Sequence, residues 1–234
     1  MLKLGSLFCF ALIGTGVNIL QQNEYKTERE AMVIEQIASQ GIKDEKVLEA
    51  MKKVPRHCFV FEELRHLAYA DSPLSIGDGQ TISQPYIVAF MTEAAQVNPE
   101  SRVLEIGTGC GYQSAVLGEI CKDVFTIEIV KPLAEKASKL LKELGYSNIH
   151  VRQGDGWEGW PEKAPFDIIL ITAAPEHLPQ PIVSQLKIGG RIIVPVGSLI
   201  DQKLIRYTKT EKGLKEEVLI PVRFVPMTGK AQEN

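Results

Sequence analysis

Apolar positions follow a helical period from Glu28 onward: Met32, Val33, Ile37 and Ala38 recur at three-to-four spacing, and Gly41 stands where a helix stops. A second amphipathic stripe, Val47, Leu48 and Met51, follows Asp44 as its cap and is ended by Pro55. Residues 28 to 70 therefore predict a small helical region. Residues 71 to 85, rich in Ser, Gly, Asp and Pro, predict a loop, and Pro85 to Gln96 the next helix. After it the period switches back and forth. Arg102 to Ile106, Val124 to Ile129, Ile149 to Gln153 and Phe166 to Thr172 predict strands. Tyr112 to Ile120, Pro132 to Leu144 and Leu178 to Leu186 predict helices between and after them. The run from Phe166 is apolar at nearly every position, which suits a strand buried on both faces. Gly189 and Gly190 lead into a strand from Arg191 to Val196. Two more β-rich runs, Lys203 to Thr208 and Glu216 to Val225, flank a hairpin turn at Thr210 to Gly213.

The first residues stand apart. Lys3 precedes the apolar run Leu4 to Ile13, and Gly14, Thr15 and Gly16 follow, the layout of a signal peptide. The run is shorter than the roughly 20 residues a membrane-spanning helix needs, and an ordinary N-terminal helix or a misplaced start is the competing reading. Residues 1–25 are treated as a leader, and residues 26–234 as one domain: a helical region with a loop at 28–84, a sheet core at 85–200 and a hairpin tail at 201–234.

Composition narrows the classes. With 44% hydrophobic and 24% charged residues the 234-residue chain is ordinary globular material. A net charge of −3 gives no reason to expect a nucleic-acid partner. The four cysteines, Cys9, Cys58, Cys110 and Cys121, lack the paired spacing of a zinc site and are too few for a disulfide framework, so no metal is expected.

The glycine-rich turn Glu105-Ile106-Gly107-Thr108-Gly109-Cys110-Gly111 follows one predicted strand and opens a helix. Its spacing is G-x-G-x-G rather than the G-x-G-x-x-G of nicotinamide enzymes. Gly107, Gly109 and Gly111 leave room for a ligand, and Glu105 can face the positive amino-acid end of S-adenosylmethionine. Glu128 ends the next strand, where a carboxylate can accept from both ribose hydroxyls. Asp155, between Gly154 and Gly156, is placed to accept from an adenine amino group. Each has a plainer alternative: helix packing for the glycines, a solvated strand end for Glu128, a turn aspartate for Asp155.

Together these features resemble the class I seven-stranded methyltransferases. Within them, the run Ile76 to Tyr86 is similar to the signature of protein-L-isoaspartate O-methyltransferases. Gly154-Asp155-Gly156-Trp157, Phe166-Asp167 with Thr172-Ala173-Ala174, Gly189-Gly190 with Pro195-Val196-Gly197, and Val222-Arg223-Phe224-Val225-Pro226 match that family as well. The resemblance runs from about Met32 to the C-terminus. It implies an α/β fold: a Rossmann-like, mostly parallel sheet of seven strands with helices on both faces and a C-terminal β-hairpin. It also implies S-adenosylmethionine as cofactor and methyl transfer to the free α-carboxylate of isoaspartyl residues in damaged proteins, which starts their repair through a methyl ester and a succinimide. The family serine corresponds to Ser83, for which a simple helix N-cap is the plainer reading. Thr81, Ile82, Tyr86, Val225 and Thr228 are implied on the substrate side. The family is usually cytoplasmic, so the leader leaves export as the alternative, and a monomer is expected.

Two other readings of the cofactor turn stay open: methylation of a small molecule, and a module that binds the cofactor without transferring its methyl. A nicotinamide-dependent oxidoreductase is disfavoured by the glycine spacing and the lack of a Tyr-x-x-x-Lys pair. His57, His66, His150 and His177 fall in no motif, and Trp157 and Trp160 are read as packing residues before ligand contacts.

Overall fold

The computed structural model describes residues 25–233, so the leader lies outside the described residues. Seven strands form one sheet: β3 (Arg102–Ile106), β4 (Asp123–Glu128), β5 (Ile149–Gln153), β6 (Phe166–Ile171), β7 (Leu186–Ser198), β8 (Asp201–Thr210) and β9 (Gly213–Val222). Their order is β5-β4-β3-β6-β7-β8-β9. The first five run parallel, and β8 and β9 are antiparallel additions. The chain winds outward from β3 through β4 to β5, then returns to the other side of β3 for β6. The resulting switch point puts a crevice at the carboxyl ends of β3 and β6.

Consecutive residues of β6 fall in two different packed clusters, Ile168 and Leu170 in one, Ile169 and Ile171 in the other. Successive strand side chains point to opposite faces, so from Ile168 onward this strand is dry on both sides, as its nearly all-apolar run predicts. The helices α1 (Lys26–Ala31), α2 (Glu45–Lys53), α3 (Pro85–Ala95), α4 (Tyr112–Gly118), α5 (Lys131–Glu143) and α6 (Gln180–Val183) complete the domain. The first continues as wider and then tighter helical turns through Gln40, burying Met32, Val33 and Ile37, and stops at Gly41 with φ 103°. Asp44 caps α2 by accepting from the Lys46 amide at 2.9 Å.

Several expectations need correction. The loop over 71–85 contains a hairpin, β1 (Leu74–Gly77) and β2 (Gln80–Ile82), turning at Asp78 and Gly79 with φ 53° and 72°. Two successive positive φ values are what an Asp-Gly two-residue hairpin turn supplies. The helix expected over Leu178 to Leu186 is a single turn, α6, which begins only after Pro179, an extended N-cap, and carries Pro181 in its first turn, where the missing amide donor is tolerated. β7 starts at Leu186 and runs through Gly189-Gly190. The last strand ends at Val222, so Val225 lies beyond it in an irregular segment.

Candidate functional site

The crevice at the switch point is a cleft, partly enclosed by protein and partly open to solvent. Each strand end contributes to its wall. Ile106 to Cys110 come from the turn after β3, Ile127 to Val130 from the end of β4, and Thr172 and Ala173 from the end of β6. Gln80 to Ser83 close one side and Val225 to Thr228 another.

The glycine turn is held by protein contacts before any ligand is considered. Gly107 has φ 98°, and a side chain there would run into the Thr172 hydroxyl. That hydroxyl donates to the Gly107 carbonyl at 2.7 Å and the Ile106 carbonyl at 3.0 Å, fastening the end of β3 to that of β6. Gly111, at φ 92°, precedes α4 and faces Leu141 of α5, so it serves helix packing and does not line the cleft.

Glu128 is 5% exposed and lines the cleft. One oxygen accepts from the Gly109 amide at 2.8 Å and the other from the Val130 amide at 2.9 Å. A carboxylate has about four lone-pair positions, so this fixed group keeps capacity for ligand hydroxyls. Glu105 lies beneath the turn, fully buried and outside the cleft lining. The Ser114 hydroxyl donates to its Oε2, and its Oε1 has no hydrogen-bond partner. Burial pushes its carboxyl up to about 7, and the Ser114 and Thr126 hydroxyls only partly oppose this.

Asp155 caps the short turn Gly156–Glu158 by accepting from the Trp157 amide at 2.9 Å, and its Oδ2 accepts from the Lys230 amide at 2.9 Å. Both oxygens are thus taken, one by the turn it caps and the other by the C-terminal segment, while Gly156 reaches the cleft. Trp157 and Trp160 pack below the sheet, Trp160 edge-on to Phe125 at 5.6 Å, and neither lines the cleft.

On the substrate side, Thr81, Ile82 and Ser83 line the cleft together with Val225 and Thr228. Val225 is set there because its carbonyl accepts from the Ala174 amide at 2.8 Å, and the Met227 amide donates back to the Ala174 carbonyl at 2.8 Å. Tyr86 is turned away, its ring paired with Phe90 at 5.8 Å. Ser83 is not the N-cap of α3; that position belongs to Gln84, which makes no side-chain cap bond. The cap comes from Asp71, whose Oδ1 accepts from the Tyr86 amide at 3.1 Å and whose Oδ2 accepts from the Gln84 side chain at 2.7 Å. Sequence reading gave Asp71 no role and Thr172 only a place in a family motif. Each acts on a residue far along the chain, and only the fold brings the partners together.

The cleft lies at a parallel-sheet switch point, where open α/β sheets bind nucleotide-type ligands, and combines a glycine turn, a carboxylate locked at the end of the next strand and the Ser83 lip. A sequence model for protein-L-isoaspartate(D-aspartate) O-methyltransferase matches residues 27–232. The chain belongs to that family. A protein-L-isoaspartate O-methyltransferase of Picosynechococcus is 56% identical over 201 residues, covering 86% of this chain and 90% of that one. That of Opitutus terrae is 51% identical over 227 residues, covering 97% of each. Among solved structures, a protein-L-isoaspartate O-methyltransferase superposes with a TM-score of 0.80 at 30% identity, over 87% of this chain and 67% of the other. A Plasmodium falciparum β-aspartate methyltransferase in complex with S-adenosyl-L-homocysteine superposes at 0.74 with 25% identity, over 86% and 98%. The fold and the enzyme class are those of this methyltransferase family, and its cofactor is S-adenosylmethionine.

Proposed function

We propose that the cleft is where a methyl group passes from S-adenosylmethionine to the free α-carboxylate of an L-isoaspartyl residue in a damaged protein or peptide. Family membership across residues 27–232 carries the activity; the assignment of individual residues rests on the cleft. Bound S-adenosylmethionine supplies a methyl carbon made electrophilic by its sulfonium.

A carboxylate of this kind has an ordinary pKa of about 3.5, so it arrives ionised and needs no general base. The protein's work is alignment and exclusion of water. Gly107 and Gly109 give backbone surface to the cofactor, Glu128 accepts from its ribose hydroxyls, and Gly156 borders the adenine end. Glu105 acts from below the turn as a charge facing the ammonium end. Asp155 reaches the adenine only once the Lys230 amide releases it. Ser83 donates to the carboxylate and holds it in line, between Thr81, Ile82, Val225 and Thr228. Tyr86 contributes through the position of its backbone, since Asp71 already takes its amide. That carboxylate also occupies the start of α3, so the substrate's carboxylate is oriented by the Ser83 hydroxyl rather than by the helix end.

The reading includes a monomer in the cytoplasm. Among the described residues no helix is long and apolar enough to cross a membrane; fractionation of cells expressing the full chain tests the alternative of export through the leader.

Transfer of label from methyl-tritiated S-adenosylmethionine to a synthetic isoaspartyl peptide, beside the same peptide with normal aspartate, tests the assignment. Base-labile ester on the isoaspartyl peptide alone supports it. Ester on neither, with cofactor bound, would return the chain to the small-molecule or non-catalytic readings.

A further inference from the structure

Arg56 is completely buried, at the start of the short helical turn Arg56–Phe59. Its Nε donates to the Ala68 carbonyl at 2.8 Å and one Nη approaches the Ser72 carbonyl at 3.5 Å, but Nη1 has no hydrogen-bond partner. No carboxylate stands among the groups that influence it: these are Tyr112, Cys110 and Tyr69. Its guanidinium carbon lies 4.8 Å from the centre of the Tyr112 ring. A cation taken out of water with no counter-charge costs several kcal/mol, and a guanidinium does not escape by losing its proton. Such a charge is retained where something anionic comes to meet it.

The place where that happens is next door. Tyr112, whose ring the guanidinium faces, and Cys110, which also bears on its charge, both line the cleft. The cleft lining itself contains Glu128 and no lysine, arginine or histidine. Glu105 lies just beneath the same turn. Yet the reaction brings two carboxylates into this cleft, that of the cofactor's methionine end and that of the isoaspartyl residue.

We propose that Arg56 is a positioning residue whose buried guanidinium, acting through the Cys110 and Tyr112 wall, draws a ligand carboxylate to that side of the cleft and orients it. The inference rests on reading the cleft as the site of cofactor and substrate. In a medium of low dielectric a cation one side chain away from an anion still interacts strongly. It does so without the conformational entropy of a flexible lysine reaching in from the surface.

The test compares wild type, Arg56→Met and Arg56→Lys in the full chain. Calorimetry measures binding of S-adenosylhomocysteine and of 5′-methylthioadenosine, which keeps the adenosine and thioether but lacks the amino-acid end. Methyl transfer gives KM for an isoaspartyl peptide. In Arg56→Met, affinity for one carboxylate ligand falls about tenfold or more, while 5′-methylthioadenosine binds as before. A loss on S-adenosylhomocysteine identifies the cofactor's carboxylate; a loss only in peptide KM identifies the substrate's. Arg56→Lys retains binding of that ligand at the lower end of the pH range and loses it as pH rises, because a buried ammonium deprotonates below its usual range.

Equal weakening of both adenosyl ligands in Arg56→Met overturns the inference, because general loosening would do that, and so does no change in any of the three quantities. If Arg56→Met does not fold, an Arg56→Lys enzyme that follows wild type at every pH overturns it. Failure of the wild type to bind either adenosyl ligand is a separate result, and it removes the cleft reading itself.

Discussion

Asp71 and Tyr86 are 15 positions apart in sequence, yet the Asp71 carboxylate accepts the Tyr86 amide at 3.1 Å and so caps the helix that begins two residues after Ser83. Its second oxygen accepts from the Gln84 side chain at 2.7 Å. One carboxylate therefore fixes both the start of α3 and the residue that follows Ser83.

Replacing Asp71 with Ala leaves the Tyr86 amide and the Gln84 side chain without their acceptor. Loss of a side-chain cap costs about 1 kcal/mol, so urea denaturation is expected to show a drop of that order. The Ser83 lip also loosens, so kcat for an isoaspartyl peptide falls while affinity for S-adenosylhomocysteine stays close to wild type. Equal loss in both would mean that Asp71 supports the whole domain and not that lip.

Glu128 joins the glycine turn to the end of β4 by accepting two backbone amides, from Gly109 and Val130. Glu128→Ala strands both donors in a nearly buried position, at about 1–3 kcal/mol for each unsatisfied group, and removes the acceptor offered to ribose. Calorimetry is expected to find S-adenosylhomocysteine bound at least about tenfold more weakly. Glu128→Gln keeps one acceptor and falls between the two. Unchanged affinity in Glu128→Ala would remove this residue from the cofactor site.

Glu105 gives a pH dependence whose sign follows from burial. Its folded pKa is raised from 4.5 to about 7, so the neutral form is the one the fold favours. The stability it contributes is complete below the unfolded value of 4.5 and is lost as pH rises through about 7. A ligand ammonium favours the ionised form. S-adenosylhomocysteine is therefore expected to bind more tightly at about pH 8 than at about pH 6, with proton release near neutrality. Glu105→Gln flattens that profile. Calorimetry in buffers of different ionisation enthalpy measures the proton count; a count of zero in the wild type sinks the idea.

Much of this was legible in the chain because the relevant signals are local. The nearly all-apolar run of β6, the Gly41 and Pro55 stops and the Asp44 cap each depend on a few neighbouring residues, and the structure places them where the pattern does. The glycine turn was legible for the same reason. Its physical role was less so: Gly111 packs against Leu141, and Gly107 is shaped by Thr172, 65 positions away. The β1–β2 hairpin hid in a segment whose composition reads as loop, because its strands have only four and three residues. Asp155 looked like an adenine ligand, and no local pattern indicates that the Lys230 amide, 75 positions on, takes one of its oxygens. Arg56 and Asp71 were invisible for a related reason: the burial of one charge and the helix cap supplied by the other from 15 positions away are tertiary properties.

Ser83 carries the sharpest kinetic expectation. It lines the cleft opposite the glycine turn and is not the N-cap of α3, so removing its hydroxyl does not cost a helix cap. Ser83→Ala is therefore expected to keep the wild-type unfolding midpoint and its affinity for S-adenosylhomocysteine. The substrate carboxylate then loses the donor that aligns it with the methyl carbon. Misalignment of reacting groups costs roughly tenfold to a hundredfold in rate, and the deficit is expected in kcat more than in KM, because the peptide backbone is still held by Thr81, Ile82 and Val225. Ser83→Thr keeps the donor and recovers part of the rate if the extra methyl is accommodated. Steady-state methyl transfer at saturating cofactor separates the cases. A Ser83→Ala enzyme with wild-type kcat would shift the orienting role to a backbone amide of the Thr81 to Ser83 lip. A fall in kcat matched by an equal fall in cofactor affinity would make Ser83 part of the cofactor wall instead.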